Sequence, residues 1–100
     1  MKFKDGVKAQ GMNPEILLAL IIVEGIYKDF HQELVITAIT DGKHKEGSKH
    51  YDGDAVDTRT RYFNASEKEL VYKDIKDALS DEYDVIWHTT HFHIEFDPKD

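Results

Sequence analysis

The residues best able to do chemistry lie in two stretches. The first, Ser48-Lys49-His50-Tyr51-Asp52-Gly53-Asp54-Ala55-Val56-Asp57, sets a histidine seven residues before an aspartate, and the second, His91-Phe92-His93, supplies further imidazole far downstream. Two imidazoles and one carboxylate make a ligand set for a catalytic zinc, which keeps its fourth position open for water. Such a spacing also arises by chance in a chain with six histidines. The setting narrows the reading. Ser48, Gly53 and Ala55 are small, and small residues let the backbone turn tightly and bring His50 and Asp57 toward one point.

The chain contains no cysteine, which excludes disulfides, thiolate ligands and a cysteine nucleophile, so any metal must be held by nitrogen and oxygen. One hundred residues with 40% apolar content suffice for one core, and residues 1–100 are expected to form a single domain acting as a monomer. A net charge of -7 argues against nucleic-acid binding and against adhesion to an anionic membrane. The first residues lack the apolar stretch of a signal peptide, and the longest apolar run, 16–23, is too short to span a bilayer. The product is expected in the cytoplasm of its maker, reaching a cell wall only by export or lysis.

Holding these groups requires a scaffold. Residues 1–12 are polar and read as a lead-in, with Val7 and Met12 available to the core. Asn13, Pro14 and Glu15 supply an N-cap, a first-turn proline and a first-turn acid, the start of a helix. Residues 16–23 are apolar nearly all round, which predicts packing on more than one side; Ile26, Tyr27 and Phe30 continue the apolar face, and Glu24 sits at its polar edge. Residues 34–40 are β-branched and alternating, a strand that Asp41-Gly42 ends. The polar stretch 43–49 is a loop beside the site, where Lys43 and His44 either touch substrate or are solvated.

A second strand is expected over 51–60, with Asp57 near its inner end. Arg59 and Arg61 follow on one face; they suit bidentate carboxylate binding, although a structural ion pair with one of twenty acids is the simpler role. Ser66 to Glu69 has capping-box form, and Val71, Ile75 and Leu79 recur every four residues, so an amphipathic helix runs to near Ser80. Its charged face (Lys68, Lys73, Asp74, Lys76, Asp77) reads as solvated. Residues 85–88 pair with a last strand over 91–96, in which His91, His93 and Glu95 share one face and Phe92, Ile94 and Phe96 the other. Thr89 and Thr90 resist the positive φ of a tight hairpin, so a wider connection is expected. The fold class is α+β: a small, mostly antiparallel sheet with two helices on one face and the zinc site on the open face.

The pattern S-x-H-x-x-G-x-A-x-D followed by H-x-H resembles the LAS-type zinc peptidases, a group that includes D-alanyl-D-alanine carboxypeptidases and dipeptidases, phage endolysin peptidases and the hedgehog signalling domain. The resemblance extends to residues 36–44, similar to the strand and loop before the motif, and to 84–98, similar to the closing segment. It implies a zinc held by His50, Asp57 and His93, and hydrolysis of peptide bonds in peptidoglycan stem peptides. Many relatives carry a glutamate general base three residues before H-x-H; His88 stands at that position here. Histidine can serve as a base near neutral pH. Three readings therefore stay open: His88 as base, Glu95 or another carboxylate as base, or a zinc-stabilised binding domain of hedgehog-like type without turnover. His91 either donates a hydrogen bond to substrate or merely packs beside the metal.

Overall fold

The computed structural model describes residues 1–39 and 53–98. In chain order these form β1 (Lys2–Phe3), α1 (Pro14–Asp29), β2 (Val35–Ala38), β3 (Ala55–Arg59), α2 (Ala65–Ala78), β4 (Tyr83–Trp87) and β5 (His91–Phe96). The five strands make one sheet in the order β1-β2-β3-β5-β4, antiparallel except for β1 against β2. The α+β class is thus present. β1 departs from the expected lead-in, because two residues are too few to show alternation and only the pairing with Val35 and Ile36 defines them.

Alternation along the strands decides where the core sits, since successive side chains face opposite ways. Ile36, Val56, Phe92, Ile94 and Val85 point to one face and form a single buried cluster with Ile16, Leu20, Val23 and Tyr27 of α1 and Val71 and Ile75 of α2. Val7 and Met12 pack against this cluster, as expected. Tyr27 ties α1 to β3: its hydroxyl donates to the Arg59 carbonyl (2.8 Å) and lies 3.0 Å from the Thr58 hydroxyl. β3 is thereby fixed from behind at the residues flanking the end of its exposed row.

α1 starts at Pro14 behind Asn13, as the sequence predicts, but the Asn13 side chain makes no cap hydrogen bond. Its amide donates instead to the Asp54 carboxylate, while its backbone N–H donates to the Gly53 carbonyl at 3.0 Å. Gly53 has φ +77°, and a Cβ there would overlap the Gly11 carbonyl oxygen. The motif glycine therefore allows both a left-handed turn and the close approach of residues 11–13. α1 ends in a Schellman motif, with Gln32 N–H donating to Tyr27 O (3.1 Å), His31 N–H to Lys28 O (2.9 Å), and His31 at φ 58°. Packing of α1 on more than one side is not observed: Leu17, Leu18, Ile21 and Ile22 are 40–59% exposed.

α2 is capped two residues earlier than Ser66 and Glu69 suggest. Glu67 N–H donates to Asn64 Oδ1 (2.8 Å) and Asn64 N–H to Glu67 Oε1 (2.9 Å), a reciprocal box with the same spacing. The expected wider connection between β4 and β5 is not found: Trp87 pairs with Phe92 and His88 N–H donates to His91 O at 3.0 Å, so only Thr89 and Thr90 lie between the bonded residues, and they make the turn without positive φ. No helix among the described residues is long and apolar enough to cross a membrane.

Candidate metal centre on the open face

The face of the sheet opposite the helices carries the polar row. Antiparallel register sets Asp57 opposite His93, Arg59 opposite His91 and Ala55 opposite Glu95. Directly opposed side chains are near neighbours, and Asp57 Oδ1 lies 3.0 Å from His93 Nδ1. His91 Nε2 is 3.7 Å from Asp57 Oδ2, and His93 Nε2 is 3.0 Å from Glu95 Oε1. Burial by itself pushes the His93 imidazolium down, yet the hydrogen bonds and charges of Asp57 and Glu95 outweigh it and raise its pKa above the ordinary value.

This geometry fits two corners of a zinc site. Ligand atoms at about 2.0–2.1 Å from a tetrahedral ion stand roughly 3.3–3.4 Å from one another, close to the 3.0 Å between Asp57 Oδ1 and His93 Nδ1. A ligating histidine normally gives its other ring N–H to a carboxylate, which fixes the tautomer and raises its basicity. Glu95 takes that position at Nε2, leaving Nδ1 for the metal. The expected third ligand, His50, lies outside the described residues, as do Lys43 and His44. Among the described residues the group with three candidate ligand atoms within 4.8 Å of one another is Asp84, Glu95 and Asp97, all carboxylate and partly exposed.

His88 and His91 sit beside this pair. Their rings stack with centroids 4.6 Å apart, and the His88 ring stands perpendicular to that of His93 at 6.4 Å. His88 N–H donates to His91 O at 3.0 Å, which closes the connection between the strands. Glu95 is engaged by His93 rather than free to accept a proton from the far side of the site.

Lys68 overturns the expectation of a solvated face on α2. It is 8% exposed, and its ammonium donates to His88 O (2.6 Å) and Thr89 O (3.1 Å) while lying over the Trp87 ring at 4.5 Å. Desolvation lowers its pKa. The signal was in the spacing, since 68, 71, 75 and 79 form one helical stripe and a lysine in an apolar stripe must deliver its charge somewhere. Here it clamps the carbonyls of the connection that carries His88.

A cleft of about 400 Å³ opens beside Asp57, lined by Lys4, Thr37, Ala38, Asp57, Arg59, Arg61, Thr90 and His91. Among the described residues Arg59 and Arg61 form no ion pair with a carboxylate, contrary to the simpler expectation. Arg61 Nη2 instead donates to the Tyr62 hydroxyl at 2.9 Å, and its guanidinium lies 5.0 Å from that ring's centre. A second cleft, about 450 Å³, borders Glu24, Lys28, His31 and Leu34 and shares no residue with the first. No protein-family model and no curated protein matches the sequence.

Proposed function

We propose that the chain is a zinc-dependent peptidase that hydrolyses peptide bonds in peptidoglycan stem peptides. The observation that carries this reading is the opposed pair Asp57 and His93, set 3.0 Å apart on neighbouring strands with Glu95 holding the other imidazole nitrogen. His50, Asp57 and His93 would hold the ion; when bound, zinc lowers the pKa of a water and polarises a carbonyl. His93 presents Nδ1 because Glu95 accepts from Nε2, and Asp57 completes the pair from β3. His88 stands at the rim, where it takes a proton from the attacking water and passes it to the departing amine. His91, 3.7 Å from Asp57 and stacked on His88, orients that ring.

The test is release of new amino groups from purified peptidoglycan by the zinc-loaded chain, with Asp57→Ala as control. Release by the parent alone supports the proposal, and equal release by both would sink it. A binding domain without turnover is the second reading, favoured by one observation: no carboxylate occupies position 88. Zinc binding with no release of amino groups from cell walls or stem-peptide mimics would select it.

A further inference from the structure

We propose that Asn13 is a positioning residue of the metal centre: its side chain makes no cap for α1 and instead clasps Asp54, which fixes where the chain leading from His50 joins β3. The link to metal rests on the zinc reading above; the link to β3 does not. Asn13 stands at the N-cap of α1 with extended backbone (φ -76°, ψ 152°), followed by Pro14 at the start of the helix. An asparagine there ordinarily accepts from the N–H of the second or third helical residue, and a helix without that bond is weaker. In α1 the bond is not made. The side-chain amide donates to the Asp54 carboxylate, 41 residues along the chain, and the backbone N–H of Asn13 donates to Gly53 O at 3.0 Å. A residue type suited to a local cap thus serves a long-range contact at the entrance to β3.

α1 holds β3 at both ends. Tyr27, in the last turns of the helix, bonds to the Arg59 carbonyl and the Thr58 hydroxyl; Asn13, at the other end, bonds to Gly53 and Asp54. Asp57 lies between the two anchors. Phe96 N–H donates to Asp54 O at 2.8 Å, so the end of β5 meets the same junction. In sequence Asp54 comes four residues after His50 and three before Asp57, midway between the two ligands that the motif supplies. Gly53 makes the approach possible, since at φ +77° it carries no Cβ to meet the Gly11 carbonyl. The motif glycine and Asn13 therefore act on one contact. A metal site needs its ligands held in place beforehand, and each residue that the ion must itself order weakens binding through lost conformational entropy.

Replacing Asn13 by aspartate separates this role from capping. Aspartate caps a helix as well as asparagine and adds a favourable charge at its N-terminus, so a capping role predicts unchanged or higher stability. The clasp predicts a loss, because Asn13→Asp sets two carboxylates against each other. Competition with a chelator reads zinc affinity, and amide hydrogen exchange at Phe96 in the metal-free chain reads the junction without metal. Asn13→Asp should lower zinc affinity about 10-fold, the effect of leaving one further residue to be ordered, and should speed exchange at Phe96 while helical circular dichroism is unchanged. Asn13→Ser, an equally good cap without an amide donor, should show a smaller loss of the same kind, which keeps the test decisive if the aspartate variant does not fold. The reciprocal pair Asn13→Asp/Asp54→Asn restores one amide and one carboxylate and should recover most of both readings. Parental zinc affinity and exchange in Asn13→Asp, or a reciprocal pair no better than the single variant, would overturn the assignment. Faster exchange at unchanged zinc affinity would overturn its link to the metal. No zinc uptake even by the parent, with exchange following the clasp, would uphold the hold on β3 and overturn the zinc reading instead.

Discussion

The two faces of β5 differ sharply, although one strand carries both. Phe92 and Ile94 are fully buried against both helices, whereas His91, His93 and Glu95, alternating with them, face a polar surface: His93 meets both Glu95 and Asp57 at 3.0 Å, and His91 lies 3.7 Å from Asp57. The same strand is thus a core element on one side and a chemical one on the other. The lesson is a separation of roles: the helix face supplies stability that the open face does not have to provide, so buried-pair chemistry can be placed there without dismantling the fold.

Neighbouring substitutions can break that comparison. Phe92→Ala is expected to cost about 3–5 kcal/mol, a large part of the ~5–15 kcal/mol that holds a domain together. His91→Ala, one residue away, is expected to cost less than about 1 kcal/mol in the metal-free protein. Urea denaturation monitored by circular dichroism measures both, and equal costs would show that the open face is as structural as the core. On the chemical side the order reverses. His93→Ala should abolish zinc binding and Glu95→Gln should weaken it about 10- to 100-fold, read by elemental analysis and by competition with a chelator. Full zinc content in His93→Ala would remove this residue from the site.

Lys68 joins the two faces, rooted in the buried stripe of α2 and ending on the carbonyls of His88 and Thr89. Lys68→Met retains much of the apolar stem but leaves those carbonyls without their charged donor, at a cost of about 1–3 kcal/mol. Turnover should fall while zinc stays bound, because His88 loses its anchor. Unchanged turnover together with lowered stability would confine Lys68 to a structural role.

Much of this division was legible in the sequence because it is written in alternation. Phe92, Ile94 and Phe96 against His91, His93 and Glu95 fix the faces of β5 without any long-range information. The Asn13-Pro14 start of α1 was equally plain. Pairing was not, since β1 has two residues and takes its identity from β2. The capping box lies at Asn64 and Glu67 rather than at Ser66 and Glu69, because where the helix starts, not the spacing of residue types, decides which side chain caps it. The charge of Lys68 hides its burial in the α2 stripe, and the many acids of the chain suggest an ion pair that Arg59 does not make among the described residues. In the site, Asp57 and His93 meet as expected, while His50 lies outside the described residues.

The proton on His93 sharpens the comparison further. Its folded pKa is raised, so the imidazolium contributes stability that is fully present below its unfolded value, about 6.5, and is lost as pH rises through the folded value. In metal-free protein the advantage of the parent over His93→Gln should therefore shrink as pH is raised from about 5.5 to about 8.5. Zinc affinity should run the opposite way, because the metal requires the unprotonated nitrogen. A stability difference independent of pH would show that His93 carries no such proton.

The smallest effect is expected on the outer side of α1, a third surface against which the other two can be judged. Leu18 and Ile21 are as apolar as the core residues one turn away, yet they are 59% and 56% exposed. Composition alone would place them with Ile16 and Leu20; burial places them with the solvent. Exposed apolar side chains withdraw little surface on folding, so Leu18→Gln and Ile21→Gln should each change stability by no more than about 0.5 kcal/mol. Urea midpoints measured at low protein concentration test this directly. A loss approaching that of Phe92→Ala would mean that this side of α1 is covered in solution, and sedimentation of the parent chain over a range of concentrations would then show whether a second copy provides the cover. A loss within the expected range leaves the sheet's helix face as the one apolar surface whose burial holds the described residues together.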